Sequence, residues 1–113
     1  MKLYGIKNCD TVKKARKWLD DRDVSYTFVD LKQTTPGKSQ LQRWCKAVGW
    51  ETVLNRRGLT WRQLDETQKQ NINASRAIEL MHEQPMLIKR PIIEQGDTIL
   101  VGFKEADYQP HFG

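Results

Sequence analysis

The sequence predicts an α/β fold in which a mixed four-stranded sheet is interrupted by an all-helical insert. Near the N-terminus, a short apolar segment, an amphipathic segment and a second apolar segment follow one another, which favours a βαβ unit with parallel strands. Near the C-terminus, two apolar segments flank a Gly-Asp turn, which indicates an antiparallel hairpin. Between these halves, at about residues 36–84, we expect only helices.

The first half of the sheet is predicted from residues 2–30. Residues 2–6 form a strand candidate, and a helix is expected from Asp10 to about Asp21, with Val12 on its apolar face. Asn8 is expected to act as the N-cap or near-cap of this helix. Residues 25–30 read as the second strand. This order predicts that a turn at residues 7–9 joins the first strand to the helix.

The insert is predicted to consist of several helices. The first is expected to be capped by Ser39 and ended by Gly49, with Cys45 on its apolar stripe. Residues 50–73 favour two short helices, and Asn73 is expected to cap a longer helix that ends before Pro85. Two pairs match the capping-box pattern of a helix start: Thr60 with Gln63, and Asp65 with Gln68.

The second half of the sheet is predicted from residues 86–109. Pro91 splits an apolar run, so the third strand is expected to begin at Ile92. A turn at residues 95–97 leads to a fourth strand at 98–102, and residues 104–109 favour a weak C-terminal helix. The predicted order is therefore β-α-β, helical insert, β-β-α.

The composition predicts one domain, residues 1–113, without disulfide or metal staples. No apolar run approaches the length of a membrane span, and no secretory signal is evident, so we expect a cytoplasmic protein that does not bind membranes. We also expect a monomer. Two cysteines and two histidines are too few for a structural zinc site. The net charge of +5 favours anionic ligands, but no base-reading motif is evident and direct nucleic-acid binding is not expected.

Cys9 is the candidate nucleophile because it falls where the first helix should begin. Free backbone N–H groups and the positive end of the helix dipole favour a thiolate there, and the thiolate is the reactive form. The neighbouring Asp10 carboxylate opposes this effect, while Thr11 could donate a hydrogen bond to sulfur or substrate. The alternative for Cys9 is a small buried apolar residue. Cys45 is expected to be buried and inert, the alternative being a thiol that resolves a disulfide at Cys9.

Three motifs resemble the ArsC (arsenate reductase-like) family, which also contains Spx. Residues 4–15, YGIKNCDTVKKA, and residues 54–64, LNRRGLTWRQL, are most similar to its YffB-type branch, and Lys89-Arg90-Pro91 precedes the third strand. The resemblance covers nearly the whole chain. It implies a thioredoxin/glutaredoxin-like fold, whose element order is the one predicted above.

The resemblance also implies roles for individual residues. Cys9 matches the nucleophilic cysteine, and Arg90 matches an arginine that precedes a proline that is typically cis, here Pro91. Arg57 matches a second arginine from the insert, with Arg56 as the alternative. With Cys9 and Arg90 as catalytic residues, the residues expected to bind substrate or glutathione are Lys7, Asn8, Thr11, Arg57 and Pro91.

Two departures from the family pattern narrow the expected chemistry. Arsenate reductases carry a further arginine after the last strand, where this chain offers only Lys104. The CxxC of Spx is missing because Val12 occupies its second position. A disulfide switch between neighbouring cysteines is therefore not available.

The function expected from these residues is reduction of a disulfide or oxidised substrate by Cys9, with glutathione as co-substrate and no bound cofactor. A first alternative is arsenate reduction, in which Cys9 attacks arsenic and glutathione or glutaredoxin removes it. A second alternative is an Spx-like regulator that binds RNA polymerase without catalysis.

Overall fold

One four-stranded sheet forms in the computed structural model, which describes all 113 residues. Its strands are β1 (Lys2–Gly5), β2 (Thr27–Asp30), β3 (Ile92–Gln95) and β4 (Thr98–Val101), in the order β2-β1-β3-β4. β1 and β2 are parallel, whereas β1 with β3 and β3 with β4 are antiparallel. The predicted mixed sheet is confirmed.

The helix α1 (Asp10–Asp21) and the C-terminal helix α7 (Glu105–Phe112) belong with the sheet in one compact unit, residues 1–34 and 90–113. Leu3 and Ile93 are paired across β1 and β3, so their side chains lie on the same face of the sheet. On that face they pack with Val12 and Leu19 of α1 and with Tyr108 of α7, all of them buried. This core holds α1 in a fixed position relative to β1.

The second compact unit, residues 35–89, contains no strand of the sheet. Its longest helices, α2 (Lys38–Val48) and α6 (Ala74–Glu83), pack against each other, and both contact the short helix α3 (Trp50–Val53). Trp44 is fully buried in this unit. The remaining elements are the short helices α4 (Leu59–Arg62) and α5 (Glu66–Lys69) and a 3₁₀ turn at Pro85–Leu87.

Two helices begin at other caps than those predicted, although Asn8 directly precedes the cap of α1, as its alternative prediction as a near-cap allows. Cys9, not Asn8, is the N-cap of α1, because the Cys9 carbonyl accepts the first helical hydrogen bond from the Lys13 N–H at 2.9 Å. Gly37, not Ser39, is the N-cap of α2, since its carbonyl accepts from the Leu41 N–H at 3.0 Å. In both helices the N-cap is an extended residue whose carbonyl accepts the first helical hydrogen bond, and helical backbone begins at the next residue.

Other boundaries also differ from the prediction. Residues 50–73 form three short helices rather than two, and α4 begins at Leu59 with Gly58 as its N-cap, so Thr60 and Gln63 form no capping box. β2 begins at Thr27, whose N–H donates to the Met1 carbonyl at 3.0 Å, rather than at residue 25. β4 ends one residue earlier than predicted, and α7 runs three residues further.

The remaining cap predictions are confirmed. Asp65 and Gln68 form a capping box at α5, in which the Asp65 N–H donates to the Gln68 Oε1 at 2.9 Å. Asn73 caps α6 by accepting a hydrogen bond from the Arg76 N–H at 2.9 Å. Among the helices, none combines the length and the apolar character that crossing a membrane requires.

Candidate active site at the carboxyl end of strand β1

The turn at residues 6–9 brings Cys9 to the carboxyl end of β1. A Cβ atom added to Gly5 would lie only 2.9 Å from the Val12 Cγ2, so Gly5 allows the first turn of α1 to pack closely on β1. Val12 is fully buried in this contact. Lys7 and Asn8 are exposed in the turn. The close contact between Gly5 and Val12 therefore determines how near the first turn of α1, and with it Cys9, lies to the sheet.

Cys9 is the N-cap residue of α1, with an extended backbone (φ −121°, ψ 121°). Its side chain is partly buried and packs against the core of residues 1–34 and 90–113. No side chain caps the helix, so the first-turn N–H groups beside Cys9 remain available to an incoming negative charge. Asp10 and Thr11, which follow in the first turn, are both exposed.

Arg90 and Pro91 lie at the same end of the sheet as the β1–α1 turn. The antiparallel register pairs Tyr4 with Ile92, so the residues after β1 and the residues before β3 meet at one edge. The Arg90–Pro91 peptide bond is cis, as the resemblance implies. Pro91 is buried and its carbonyl accepts a hydrogen bond from the Gly102 N–H at 2.8 Å, whereas Arg90 is partly buried.

Lys104 lies near this end of the sheet as well. β4 ends at Val101, opposite Ile92, and the chain then turns through Gly102 (φ 78°) into α7. Lys104 is the exposed N-cap residue of that helix. The residues at this end of the sheet thus include Lys7, Asn8, Cys9, Arg90, Pro91 and Lys104.

Arg56 and Arg57 belong to the other compact unit, where both line one cavity of about 350 Å³ with Glu51, Leu54 and Lys89. The Arg57 N–H donates to the Asn55 Oδ1 at 3.0 Å, which tightens the turn that carries both arginines. The Arg56 guanidinium lies 3.9 Å from the Glu51 carboxylate, and no ion pair engages Arg57. Three cations and one carboxylate therefore line this cavity.

Lys89 also lines this cavity, although the sequence predicted no binding role for it. Its backbone N–H donates to the Val53 carbonyl at 2.9 Å, and Leu54 forms a β-bridge with Ile88. These two contacts bring residue 89 beside the turn at 55–57. These two pairings join residues 36 and 34 positions apart and leave no local pattern, so sequence periodicity could not reveal them.

Cys45 lies on α2 and is partly exposed, so the expectation that it is buried is wrong. Position 45 is on the edge of the helix face whose centre, Trp44, is fully buried. Partial burial raises the pKa of the Cys45 thiol. At neutral pH this thiol is therefore protonated and a weak nucleophile.

The model of the ArsC family matches residues 4–110. The chain belongs to the ArsC family. A solved structure of a protein named YffB is 52% identical and covers 99% of this chain and 98% of its own length, with a TM-score of 0.97.

Two further relatives extend this similarity. An arsenate reductase (ArsC) related protein from Brucella melitensis is 47% identical, with coverage of 98% of this chain and 92% of that chain and a TM-score of 0.75. An uncharacterized protein from Haemophilus influenzae is 43% identical over 110 residues, 97% of this chain and 96% of that protein. The YffB-type branch indicated by the motifs is therefore supported over the full chain.

More distant relatives carry names that describe different functions. The global transcriptional regulator Spx of Streptococcus mutans is 26% identical over 107 residues, 93% of this chain and 77% of that protein. An arsenate reductase from Vibrio cholerae is 16% identical with a TM-score of 0.79, and covers 96% of this chain and 94% of its own, a likeness of fold alone. The relatives thus include a protein named as a regulator and one described as arsenate reductase related, and the fold of this chain matches that of the Vibrio cholerae arsenate reductase.

Proposed function

We propose that this chain is a cytoplasmic, glutathione-dependent thiol reductase with Cys9 as its single nucleophile. The observation that carries the proposal is the position of Cys9 at the N-cap of α1, partly exposed and beside uncapped first-turn N–H groups. Those groups and the helix dipole stabilise negative charge on sulfur, both on the attacking thiolate and on a departing one. A reducing cytoplasm keeps such a thiol free.

The reaction proceeds by two thiol–disulfide exchanges. The Cys9 thiolate attacks the glutathione sulfur of a mixed disulfide R–S–S–G, forms Cys9–S–S–G and releases R–S⁻, which takes up a proton. A second glutathione thiolate then attacks the glutathione sulfur of this adduct, releases Cys9 and forms glutathione disulfide. An external thiol is required because Val12 stands where a neighbouring cysteine would be.

The residues around Cys9 suit the recognition of glutathione, which carries two carboxylates. Arg90 supplies a guanidinium that binds a carboxylate through two parallel hydrogen bonds, and Lys7 adds positive charge. Asn8 and Thr11 provide exposed side-chain hydrogen-bonding groups, and Pro91 forms part of the wall. In the other unit, Arg57 and Lys89 line a cavity whose positive charge suits a carboxylate ligand.

A coupled assay with the mixed disulfide of glutathione and 2-mercaptoethanol tests the proposal. Wild-type protein is expected to turn over this disulfide with glutathione, Cys9→Ser to lose all activity and Cys45→Ser to retain it. Arg90→Ala is expected to raise KM for glutathione about tenfold or more, the loss of one charge-assisted contact. Equal activity of Cys9→Ser and wild type would overturn the proposal.

Arsenate reduction is the second candidate, favoured by the 47% identity with an arsenate reductase related protein. Cys9 would attack arsenic in place of sulfur and displace water. A glutathione thiolate would then attack the Cys9 sulfur, which forms Cys9–S–S–G and releases arsenite, and a second glutathione or glutaredoxin would reduce that disulfide. The presence of Lys104 where arsenate reductases have an arginine counts against it, because a lysine ammonium cannot hold an oxyanion in the bidentate manner. Arsenate turnover that depends on Cys9 and exceeds disulfide turnover would replace the first candidate with this one.

An Spx-like regulatory role is the third candidate, since the relative named Spx matches 93% of this chain. Such a protein would bind RNA polymerase and need no chemistry at Cys9. Affinity capture with purified RNA polymerase separates this role from catalysis. Specific retention of polymerase by both wild type and Cys9→Ser, together with no disulfide turnover, would favour it.

A further inference from the structure

A second candidate site lies at the far end of α1, between that helix and the edge strand β2. A groove of about 430 Å³ is lined there by Arg16, Asp20, Val24, Ser25, Tyr26 and Phe28. Arg16 is seven residues beyond Cys9 and Asp20 is eleven, which at the rise of an α-helix separates them from Cys9 by about 10 and 16 Å along the axis. The groove is therefore distinct from the thiol site.

The Arg16 guanidinium is held in a fixed orientation over the groove. Its Cζ lies 4.2 Å above the centre of the Phe28 ring, and its Nε–H donates to the Tyr26 hydroxyl oxygen at 3.1 Å. The hydrogen bond to Tyr26 uses Nε alone, so the N–H groups of the two terminal nitrogens make no hydrogen bond, and no ion pair engages the side chain. The fork of N–H donors that binds carboxylates is thus preformed and available.

Asp20 places the opposite charge one helical turn away on the same face of α1. Residues four apart on a helix are neighbours and commonly form ion pairs. Here Arg16 is held by Tyr26 and Phe28 instead, and the exposed Asp20 carboxylate has no ion-pair partner. The groove consequently presents an unpaired cation and an unpaired carboxylate side by side.

We propose that this groove binds the zwitterionic head of an α-amino acid. The ligand carboxylate bonds to the terminal nitrogens of Arg16, and its ammonium group bonds to the Asp20 carboxylate. Val24 and the Tyr26 ring contribute apolar surface for the rest of the ligand. A ligand with only one of the two charges gains only one of these two interactions, so the groove favours a ligand that carries both.

Titration of the ¹⁵N-labelled full chain with L-leucine tests this site through amide shifts. Two matched compounds separate the charges: 4-methylpentanoate lacks the ammonium group and 3-methylbutylamine lacks the carboxylate. L-leucine is expected to shift amides of residues 16–28 in a saturable manner at millimolar concentration and to bind at least about tenfold more tightly than either analogue. No saturable shift up to about 50 mM L-leucine, or equal binding of 4-methylpentanoate, would overturn the proposal.

Single-residue variants test which side chain binds each charge of the ligand. Asp20→Asn and Arg16→Lys are each expected to weaken L-leucine binding about tenfold, as loss of one charge-assisted interaction requires. Tyr26→Phe removes only the hydroxyl that orients Arg16 and is expected to weaken binding severalfold. Asp21→Asn is the matched control, because its carboxylate pairs with Lys17 at 2.9 Å and does not line the groove. Loss of binding in Asp21→Asn equal to that in Asp20→Asn would contradict the assignment.

Discussion

At the scale of single residues, Gly5 decides how closely the helix that carries Cys9 approaches the sheet. Any side chain at this position meets Val12, whose Cγ2 would lie 2.9 Å from the added Cβ. Valine has few alternative rotamers, particularly within a helix, and cannot move aside easily. The same contact explains why position 12 holds an apolar residue: it is part of the core that anchors the site.

A double-mutant cycle tests this contact. Gly5→Ala is expected to lower the free energy of unfolding by about 1–3 kcal/mol, the usual range for overpacking. In a Val12→Ala background the same change should cost less, because the clashing methyl groups are gone. Denaturant unfolding of the four proteins measures both values, and an equal cost of Gly5→Ala in both backgrounds would contradict the account.

Tyr108 is a buried tyrosine in the core of the unit that holds the sheet. Its hydroxyl donates to the Gly102 carbonyl at 2.9 Å, and its ring packs edge-on against Trp18 and Phe103. Burial, and to a smaller extent the Asp107 carboxylate, raises the pKa of the Tyr108 hydroxyl. The hydrogen bond fixes the turn between β4 and α7.

The raised pKa of Tyr108 predicts how stability depends on pH. The unfolded chain loses this proton near pH 10 while the folded chain retains it, so the free energy of unfolding falls as pH rises above about 10. Tyr108→Phe is expected to cost about 1 kcal/mol at neutral pH through the lost hydrogen bond. Its stability should then fall less steeply than wild type between about pH 9 and pH 11. If urea unfolding at several pH values gave the same pH dependence of the unfolding free energy for Tyr108→Phe and wild type, the prediction would be contradicted.

At the scale of elements, α6 depends on the cap that Asn73 supplies. The Asn73 side chain satisfies the N–H of Arg76, one of the four that the helix leaves open at its start. The helix buries Ala77, Leu80 and Met81 completely, so fraying of its first turn would loosen the core of residues 35–89.

Replacing this cap measures its contribution. Asn73→Ala is expected to lower the free energy of unfolding by about 1 kcal/mol, and Asn73→Asp, which keeps the acceptor, should stay close to wild type. Chemical denaturation of the three proteins gives the comparison. A loss in Asn73→Asp as large as in Asn73→Ala would show that the side-chain acceptor is not what matters.

Helix starts were predicted correctly where the local side-chain pattern alone determines them. Asp65-x-x-Gln68 forms a capping box, whereas the similar Thr60-x-x-Gln63 does not, because α4 has already begun at Leu59. The pattern is the same at both positions. What differs is the preceding turn at residues 55–58, which the Asn55 side chain tightens and which the sequence pattern does not encode.

At the scale of the whole molecule, the parallel β1–β2 pair and the antiparallel β3–β4 hairpin were predicted from the order of the apolar segments, and the position of Cys9 followed from the β1–α1 junction. The pairing of β1 with β3, which brings Arg90 and Pro91 to the same end, joins distant segments and leaves no local pattern, so only the family resemblance linked these residues to Cys9. The cavity with Arg56, Arg57 and Lys89 could not be predicted, since it depends on contacts between residues 53–54 and 88–89. The groove at Arg16 depends likewise on how α1 packs beside β2.

The proposed function requires that Cys9, and not Cys45, exchanges with glutathione. Mass spectrometry of the native chain treated with glutathione disulfide measures this directly. The account predicts one glutathione per chain, attached to the peptide that contains Cys9, unchanged in Cys45→Ser and removed by excess reduced glutathione. Modification of Cys45 in preference to Cys9, or no adduct at Cys9 while the chain remains folded, would contradict it.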